Sequence, residues 1–475
     1  IGYDNRHMSY KFAIESAKVL ATYGIKSYIF ESLRPTPELS FAVRYLKCAG
    51  GIMITASHNP KEHNGYKVYD DTGCQLLPEA ADQVVQYVNE VEDELNIKVF
   101  SDEEAYPYMT WIGEEVDEAY YKEVMAIEVN PGMDKSDFKI VFSPQHGTSN
   151  IAVRTCLTRL GYDLVPVLAQ CAPDPDFSNT KSPNPEVPAS YELAIKKAKE
   201  VDADVVVITD PDGDRLGVVA KHNGEYVLMS GNQSAAVYLE YILSQMKEKG
   251  TLPDNAVMYN TIVTSDLGEL VARSYGVDVE KTLTGFKFIG DKIRKYEQTH
   301  EKTFVFGYEE SYGCVIKDFV RDKDAVQAVL TAAEAGNFYK KQGKDLVDVL
   351  NELYAKHGTF KETQIALSKA GAAGAARIKE IMDNLRKDAP QEIGGVKVVK
   401  VEDYGNSTCS DGTTIQLPKS NVLKYYLEDG SWIAARPSGT EPKCKFYFSI
   451  KGSDADDAAS KTEVFHKAMM EIIGE

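Results

Sequence analysis

The sequence predicts an α/β protein: three similar mixed α/β domains followed by a C-terminal α+β domain. Three observations predict it. The chain has 475 residues, enough for three or four domains of about 100–200 residues each. Strand-like and helix-like stretches alternate along most of its length, the pattern of mixed or parallel sheets. Finally, a short apolar run breaks into a polar, Gly- or Pro-stopped loop four times. Gly51–Ile54 runs into Thr55–Pro60, Val205–Ile208 into Thr209–Arg215, Thr303–Phe306 into Gly307–Gly313, and Trp432–Ala435 into Arg436–Pro442. A buried strand delivers side chains to a crevice in this way.

The first domain is expected over residues 1–130. It reads as a helix over 8–24 closed by Gly24, a strand at Ser27–Phe30, a helix over 36–49, and the strand and loop around Ser57. An amphipathic helix over 79–96 and an acidic, aromatic, helical stretch over 101–125 complete it. The second domain, 131–248, opens with a strand at Phe138–Phe142 and the loop Ser143–Gly147. A Pro- and Asp-rich loop over 172–188 precedes a helix from Ser190 to Lys199, with Ser190 placed to cap it. The third domain, 249–362, has a strand at Ala256–Tyr259, a helix from Ser265 to Tyr275 closed by Gly276, and a helical stretch over 322–356 ending at Gly358. The last domain, 363–475, has a helix over 375–387, strands over 396–402 and 445–451, and a helix over 453–472. The shared strand–helix rhythm of the first three points to one ancestral fold used three times, and no short-period repeat is visible.

Composition narrows the function classes. With 43% hydrophobic and 26% charged residues the chain reads as a globular protein. A net charge of −19 argues against nucleic-acid binding, which needs a basic face. No run approaches the roughly 18 apolar residues of a membrane span. Seven scattered cysteines without a C-x-x-C pair read as reduced, packed thiols of a cytoplasmic protein. Ile1–Arg6 is not a signal peptide and begins inside a strand, so residues are expected upstream.

The loops carry complementary chemistry. Asp210, Asp212 and Asp214 place three carboxylates within five residues, which repel one another unless a cation neutralises them. Oxygen-only ligands select a hard ion, Mg²⁺ first. Arg215 and Lys221 stand where a calcium EF-hand needs Gly and Glu. An Asp-rich turn with capping carboxylates would show the same spacing. Arg215 could meet a phosphoryl oxygen or pair with the aspartates. Ser57 lies in no G-x-S-x-G elbow, and a serine in a strand-exit loop is often only a turn residue. His58 could serve its hydroxyl, and Lys67 is either a counter-charge or, with its pKa lowered by burial, a proton-transfer group. Glu309 and Ser311 can share one face of an extended loop, equipment for sugar hydroxyls or, less well, for glycoside hydrolysis. Arg436, Ser438, Gly439 and Thr440 combine a guanidinium, two hydroxyls and exposed backbone N–H groups, an anion nest rather than a Walker A loop.

In order and spacing, Thr55-Ala-Ser-His-Asn-Pro60, Asp210-Pro-Asp-Gly-Asp-Arg215, Gly307-Tyr-Glu-Glu-Ser311 and Arg436-Pro-Ser-Gly-Thr-Glu-Pro442 resemble the motifs of the α-D-phosphohexomutase family, its phosphoglucomutase/phosphomannomutase branch above all. The resemblance covers nearly the whole chain. It implies four domains around a central cleft and a reaction that interconverts hexose 1-phosphate and hexose 6-phosphate through a bisphosphorylated sugar, glucose first and mannose second. Ser57 would carry the phosphoryl group. Mg²⁺ would sit between that phosphate and Asp210, Asp212 and Asp214, and glucose 1,6-bisphosphate would act as activator. Thr284, Gly285 and Lys287 would line the substrate cleft, with Glu309 and Ser311 on the sugar hydroxyls. Arg436, Ser438, Gly439 and Thr440 would hold the phosphate not being transferred. Lys67 would be the acid/base candidate, with His58 close by and Arg215 offsetting charge. Family members carry a Gly-rich stretch with an active-site arginine ahead of the Gly2–Arg6 segment, a stretch this sequence does not contain. A phosphopentomutase and an inactive sugar-phosphate binding protein are the competing readings. The expected partner is a small sugar phosphate, with neither nucleic acid nor membrane, and the residues set no oligomeric state.

Overall fold

The structure, a computed structural model, describes residues 1–439 and 442–475. The chain divides into two compact units. Residues 1–260, 272–280 and 285–350 form the first, and 261–271, 281–284 and 351–475 the second.

In the first unit the strands that deliver the loops are short, apolar and buried. Gly51–Ile54 lies between Gly2–Tyr3, to which it is parallel, and antiparallel Tyr66–Tyr69. Val205–Thr209, buried at every position, pairs parallel with Lys139–Ser143 and antiparallel with Leu216–His222 in a five-stranded sheet. Val141, Val206, Ile208 and Val219 pack there against Ala194 and Ala198 of the helix Glu192–Val201. Such continuous β-branched runs mark strands covered on both faces. Packing is close enough that a Cβ on Gly217 would lie 1.9 Å from the Tyr191 hydroxyl. Thr303–Tyr308 runs parallel to Ala256–Thr261 and antiparallel to Cys314–Val315.

The C-terminal sheet of the second unit is antiparallel throughout, with its first strand in sequence paired to its last, and antiparallel pairing lets one face pack on the core. Thr359–Ser368, Lys443–Gly452, Trp432–Pro437, Leu423–Leu427, Val396–Asp403 and Glu392–Ile393 follow one another across it. Ile433, Phe446, Phe448 and Tyr425 pack against Ile381 and Met382 of the helix Gly371–Lys387 and Phe465 and Met469 of the helix Ala455–Ile473. Each such side chain contributes about 1.5–3 kcal/mol on burial.

Several expectations need correction. The stretch 101–125 is not one helix: Met109–Ile112 is a strand parallel to Ser27–Phe30, and only Glu114–Met125 forms a full helix beyond Gly113. Ser190 does not cap a helix. Its hydroxyl donates to the carbonyls of Ser182 and Asn184, and a 3₁₀ turn precedes the helix Glu192–Val201. The stretch 322–356 is two helices, Ala325–Lys340 and Leu346–His357, parted at Gly343. All seven cysteines are free, and Cys74, Cys156, Cys171, Cys314 and Cys444 are buried. Among the described residues, no helix is long and apolar enough to cross a membrane.

Candidate functional site

Ser57 sits three residues beyond the strand Gly51–Ile54 with φ +54°, the left-handed region that a serine occupies only under constraint. Its amide donates to Thr55 Oγ1 at 2.8 Å. Its hydroxyl lies 3.2 Å from His58 Nδ1 and donates to Asp210 Oδ2, also at 3.2 Å. The first loop thus meets the second across 153 residues of sequence. Burial, and next Arg215, push His58 down to about 3, so its ring is neutral at physiological pH.

The carboxylate loop is held by its own backbone. Asp210 Oδ1 accepts from the amides of Asp214 and Arg215 at 3.0 and 2.9 Å. Gly213 supplies the turn at φ +68°, and Gly147 lets the Ser143–Thr148 loop approach, since a Cβ there would lie 2.6 Å from Pro211 Cα. All three aspartates are buried and their ligand atoms lie within 4.8 Å of one another. Burial, reinforced by Asp212 and Asp214, pushes Asp210 well above the ordinary carboxylate range. Burial also acts on Asp212, yet Lys67 facing it holds that carboxyl below the range. Among the described residues, Oδ1 of Asp212 and Oδ1 of Asp214 accept no hydrogen bond, and Asp214 Oδ2 meets only lysine ammonium groups as ion pairs. Buried carboxylate oxygens left open in an oxygen-only cluster are the arrangement a hard divalent cation satisfies. The residues therefore fit a metal.

Two lysines face this cluster. Lys67, on the strand Tyr66–Tyr69, places Nζ 2.9 Å from Asp212 and 3.6 Å from Asp214. Burial alone would lower its pKa, but the two carboxylates outweigh burial and raise it, so Lys67 stays an ammonium and the expected lowering does not occur. Lys323 places Nζ 3.2 Å from Asp214 and 3.3 Å from Asp322, whose other oxygen accepts from Tyr69. Arg215 is turned to Glu186, at 2.7 Å.

Glu309 follows directly on the strand Thr303–Tyr308, and its Oε1 accepts from the Gly285 amide at 2.9 Å. The Thr284–Gly285 turn and the Glu309 loop are thereby joined. Ser311 lies at the tip of that loop, and Lys287 begins the helix Phe286–Thr299 with its ammonium pKa lowered by burial. Leu216 donates its amide to the Tyr312 carbonyl, and Ala325 to that of Gly213, so carboxylate and Glu309 loops are stitched by backbone bonds. In the second unit Arg436 lies in the strand Trp432–Pro437. Ser438 donates its amide to the Lys443 carbonyl at 2.7 Å, and Gly439 is exposed. Thr440 lies outside the described residues.

Comparison with known proteins decides what this arrangement belongs to. Residues 1–95, 118–224 and 230–357 match alpha/beta/alpha domains I, II and III of phosphoglucomutase/phosphomannomutase, and residues 375–467 match its C-terminal domain. The chain belongs to the phosphoglucomutase/phosphomannomutase family. It is a phosphomutase-type isomerase built of three α/β/α domains and a C-terminal domain. A phosphoglucomutase of Staphylococcus epidermidis is 40% identical over 469 residues, 97% of this chain and 84% of that protein. A phosphoglucomutase of Staphylococcus aureus is 40% identical over 468 residues, with 97% and 83% covered. The open form of parafusin, a phosphoglucomutase of Paramecium, shares the fold with a TM-score of 0.73 at 20% identity, over all of this chain and 88% of that one.

Family membership makes the placement of its motif residues informative. Ser57, His58, Lys67, Asp210, Asp212 and Asp214 form one connected cluster in the first unit. Motif reading does not find three further residues there. Thr36 donates its hydroxyl to Asp212 Oδ2 at 3.0 Å and its amide to the Asp212 carbonyl, from the start of the helix Thr36–Tyr45. Lys323 and Arg6 are the others. The signal in the sequence is no more than a lone hydroxyl at a helix start for Thr36 and a charged residue beside a turn for Lys323 and Arg6, too common to select without coordinates. A second carboxylate–imidazole group, His222 with Asp345 and Asp348, is explained by helix capping: Asp345 Oδ1 accepts the amides of Val347 and Asp348.

Proposed function

We propose that this phosphomutase interconverts hexose 1-phosphate and hexose 6-phosphate, glucose before mannose, through phospho-Ser57 and a bisphosphorylated sugar. One observation carries the reading: the Ser57 hydroxyl stands within hydrogen-bond distance of Asp210, in the same buried cluster as the three motif aspartates. The names of the curated relatives support the same chemistry.

In this reading Asp210, Asp212 and Asp214 hold a divalent cation, Mg²⁺ by preference. The bound cation supplies electrophilic stabilisation of phosphoryl oxygens. The remaining work falls to side chains of the chain itself. Phospho-Ser57 gives its phosphoryl group to the free hydroxyl of the sugar monophosphate: the new P–O bond forms as the Ser57 O–P bond breaks, and the proton that hydroxyl releases ends on the Ser57 oxygen. In the return step Ser57 loses its own proton; His58, kept neutral and weakly basic by burial and Arg215, orients that hydroxyl from 3.2 Å and does not take the proton. Lys67, kept protonated by Asp212 and Asp214, supplies positive charge beside the transferring group. Arg215 leaves Glu186 to meet the phosphoryl oxygens. Glu309 and Ser311, with Thr284, Gly285 and Lys287, bind sugar hydroxyls, and Arg436, Ser438, Gly439 and Thr440 bind the distal phosphate. Glucose 1,6-bisphosphate primes Ser57, and the enzyme works in the cytoplasm.

The test is direct. After incubation with glucose 1,6-bisphosphate, intact-mass analysis is expected to show one phosphoryl adduct on the wild type and none on Ser57→Ala. Ser57→Ala is also expected to lose glucose 1-phosphate isomerisation. Isomerisation retained by that variant would sink the covalent role.

A further inference from the structure

Arg6 is a wholly buried guanidinium that holds the backbone of the Ser57 loop at four points. Its Nη2 donates to the carbonyls of Ser57 and Asn59 at 2.5 and 2.6 Å. Its Nη1 donates to those of Pro60 and His63 at 2.8 and 3.0 Å. Nε faces Asp4 Oδ2 at 3.1 Å, and the plane rests against Phe177, 5.3 Å from the ring centroid. Asp4 is itself fixed: its Oδ1 accepts from the Arg6 amide and the Ser9 hydroxyl, and its amide donates to Ile54, the last residue of the strand before the loop. Asn64 closes the far end, donating to the His7 carbonyl and Ser9 Oγ.

A buried guanidinium is a costly means of filling space, since its desolvation amounts to several kcal/mol and is offset only by complete hydrogen bonding. A loop needing mere cover could take an apolar side chain and leave its carbonyls to water. What the guanidinium alone provides is a rigid planar fork that fixes several carbonyls at once. One of the four belongs to Ser57, the residue whose left-handed backbone aims its hydroxyl at Asp210 and His58.

We infer that Arg6 is a positioning residue for phosphoryl transfer: it holds the Ser57 backbone in its strained conformation so that the Ser57 oxygen stays in line with the transferring group. The inference rests on Ser57 being the phosphoryl carrier. Misplacing a reacting atom by about 1 Å costs on the order of 10²-fold in rate, so the fork's effect falls on the chemical step and not on sugar or metal binding.

The experiment compares the full-length wild type with Arg6→Lys, which keeps the charge and loses the fork. Four quantities are read: the rate of Ser57 phosphorylation by glucose 1,6-bisphosphate, kcat and KM for glucose 1-phosphate, Mn²⁺ affinity without substrate, and the thermal midpoint. Arg6→Lys is expected to lower phosphorylation rate and kcat together by about 100-fold, with KM and Mn²⁺ affinity within about twofold. Phe177→Leu, which spares the fork and removes only the ring beneath it, covers the case in which Arg6→Lys does not fold, and is expected to lower the same two rates by about fivefold. Wild-type phosphorylation rates in both variants would overturn the inference. So would rate losses matched by equal losses of Mn²⁺ affinity, which mark a general structural role. A wild type that takes up no phosphate removes the carrier reading, and this one with it.

Discussion

Lys67 and Lys323 divide the charge of the carboxylate trio between them, one at 2.9 Å from Asp212 and the other at 3.2 Å from Asp214. Three buried carboxylates would otherwise repel one another. The pull of Lys67 lowers the Asp212 pKa, so Asp212 stabilises the fold above the ordinary carboxylate range, and that contribution fades as the pH falls below it. Asp212→Asn removes one of the three carboxylates proposed to hold the metal and the nearer carboxylate partner of Lys67 at once. Its Mn²⁺ affinity, measured by calorimetry, is expected to fall by about 10–100-fold, while phosphate uptake at Ser57 without metal stays at the wild-type background. The carboxylates and Ser57 are legible in the sequence because each ends a short apolar run, where a buried strand surfaces. Thr36, Arg6 and Lys323 are not legible, because their partners lie 176, 51 and 109 residues away and nothing local marks them. The direction of the Lys67 shift is also hidden: burial is foreseeable from the strand, the two carboxylates opposite are not.

Among the loops, that of Ser143–Thr148 shows how one element sets another's position. Gly147 lies against Pro211, and Thr148 donates its amide to the Pro211 carbonyl at 2.8 Å. Gly147→Ala would bring a methyl to 2.6 Å from Pro211 Cα and oxygen, backbone atoms that cannot swing aside. The variant is expected to lose about 1–3 kcal/mol of stability, the usual cost of overpacking, and to bind Mn²⁺ more weakly. Thermal denaturation and metal titration check both. At this scale the regular helices and buried strands follow their sequence periodicity closely: Ser27–Phe30 is a strand at its expected limits, and Ser9–Thr22 a helix within its expected span. The misread stretch over 101–125 failed for a physical reason. Met109–Ile112 is a strand because Ser27–Phe30 offers it a parallel edge, a long-range partner that outweighs local helix preference.

At the scale of the whole molecule, a charge is also buried away from the site, in the second unit. Lys424, fully buried on the strand Leu423–Leu427, donates to the Ile262 carbonyl at 2.8 Å and lies 3.9 Å from the Trp432 ring and 4.8 Å from that of Tyr426. Burial, with Lys281 nearby, pushes it down to about 7, against the opposing pull of Asp266, Glu402 and Glu269. The unfolded chain therefore binds the proton more tightly than the folded one. Stability rises with pH from about 7 to the ordinary lysine range near 10.5, and the penalty is complete below 7. Lys424→Met is expected to melt above the wild type at pH 6, with the gap closing towards pH 10; a gap independent of pH would count against this account. The four-domain organisation is readable from rhythm and motif order, whereas a lysine inside an aromatic cage is not, because Ile262 and Trp432 reach Lys424 from opposite directions of the chain. The free thiols lead to a last consequence. Each family-matched segment holds at least one shielded sulfur: Cys74, Cys156 and Cys171, Cys314, and Cys444. Alkylation under native conditions must await local opening around each sulfur, so the order in which peptides acquire label reports which segment breathes first, without any engineered probe.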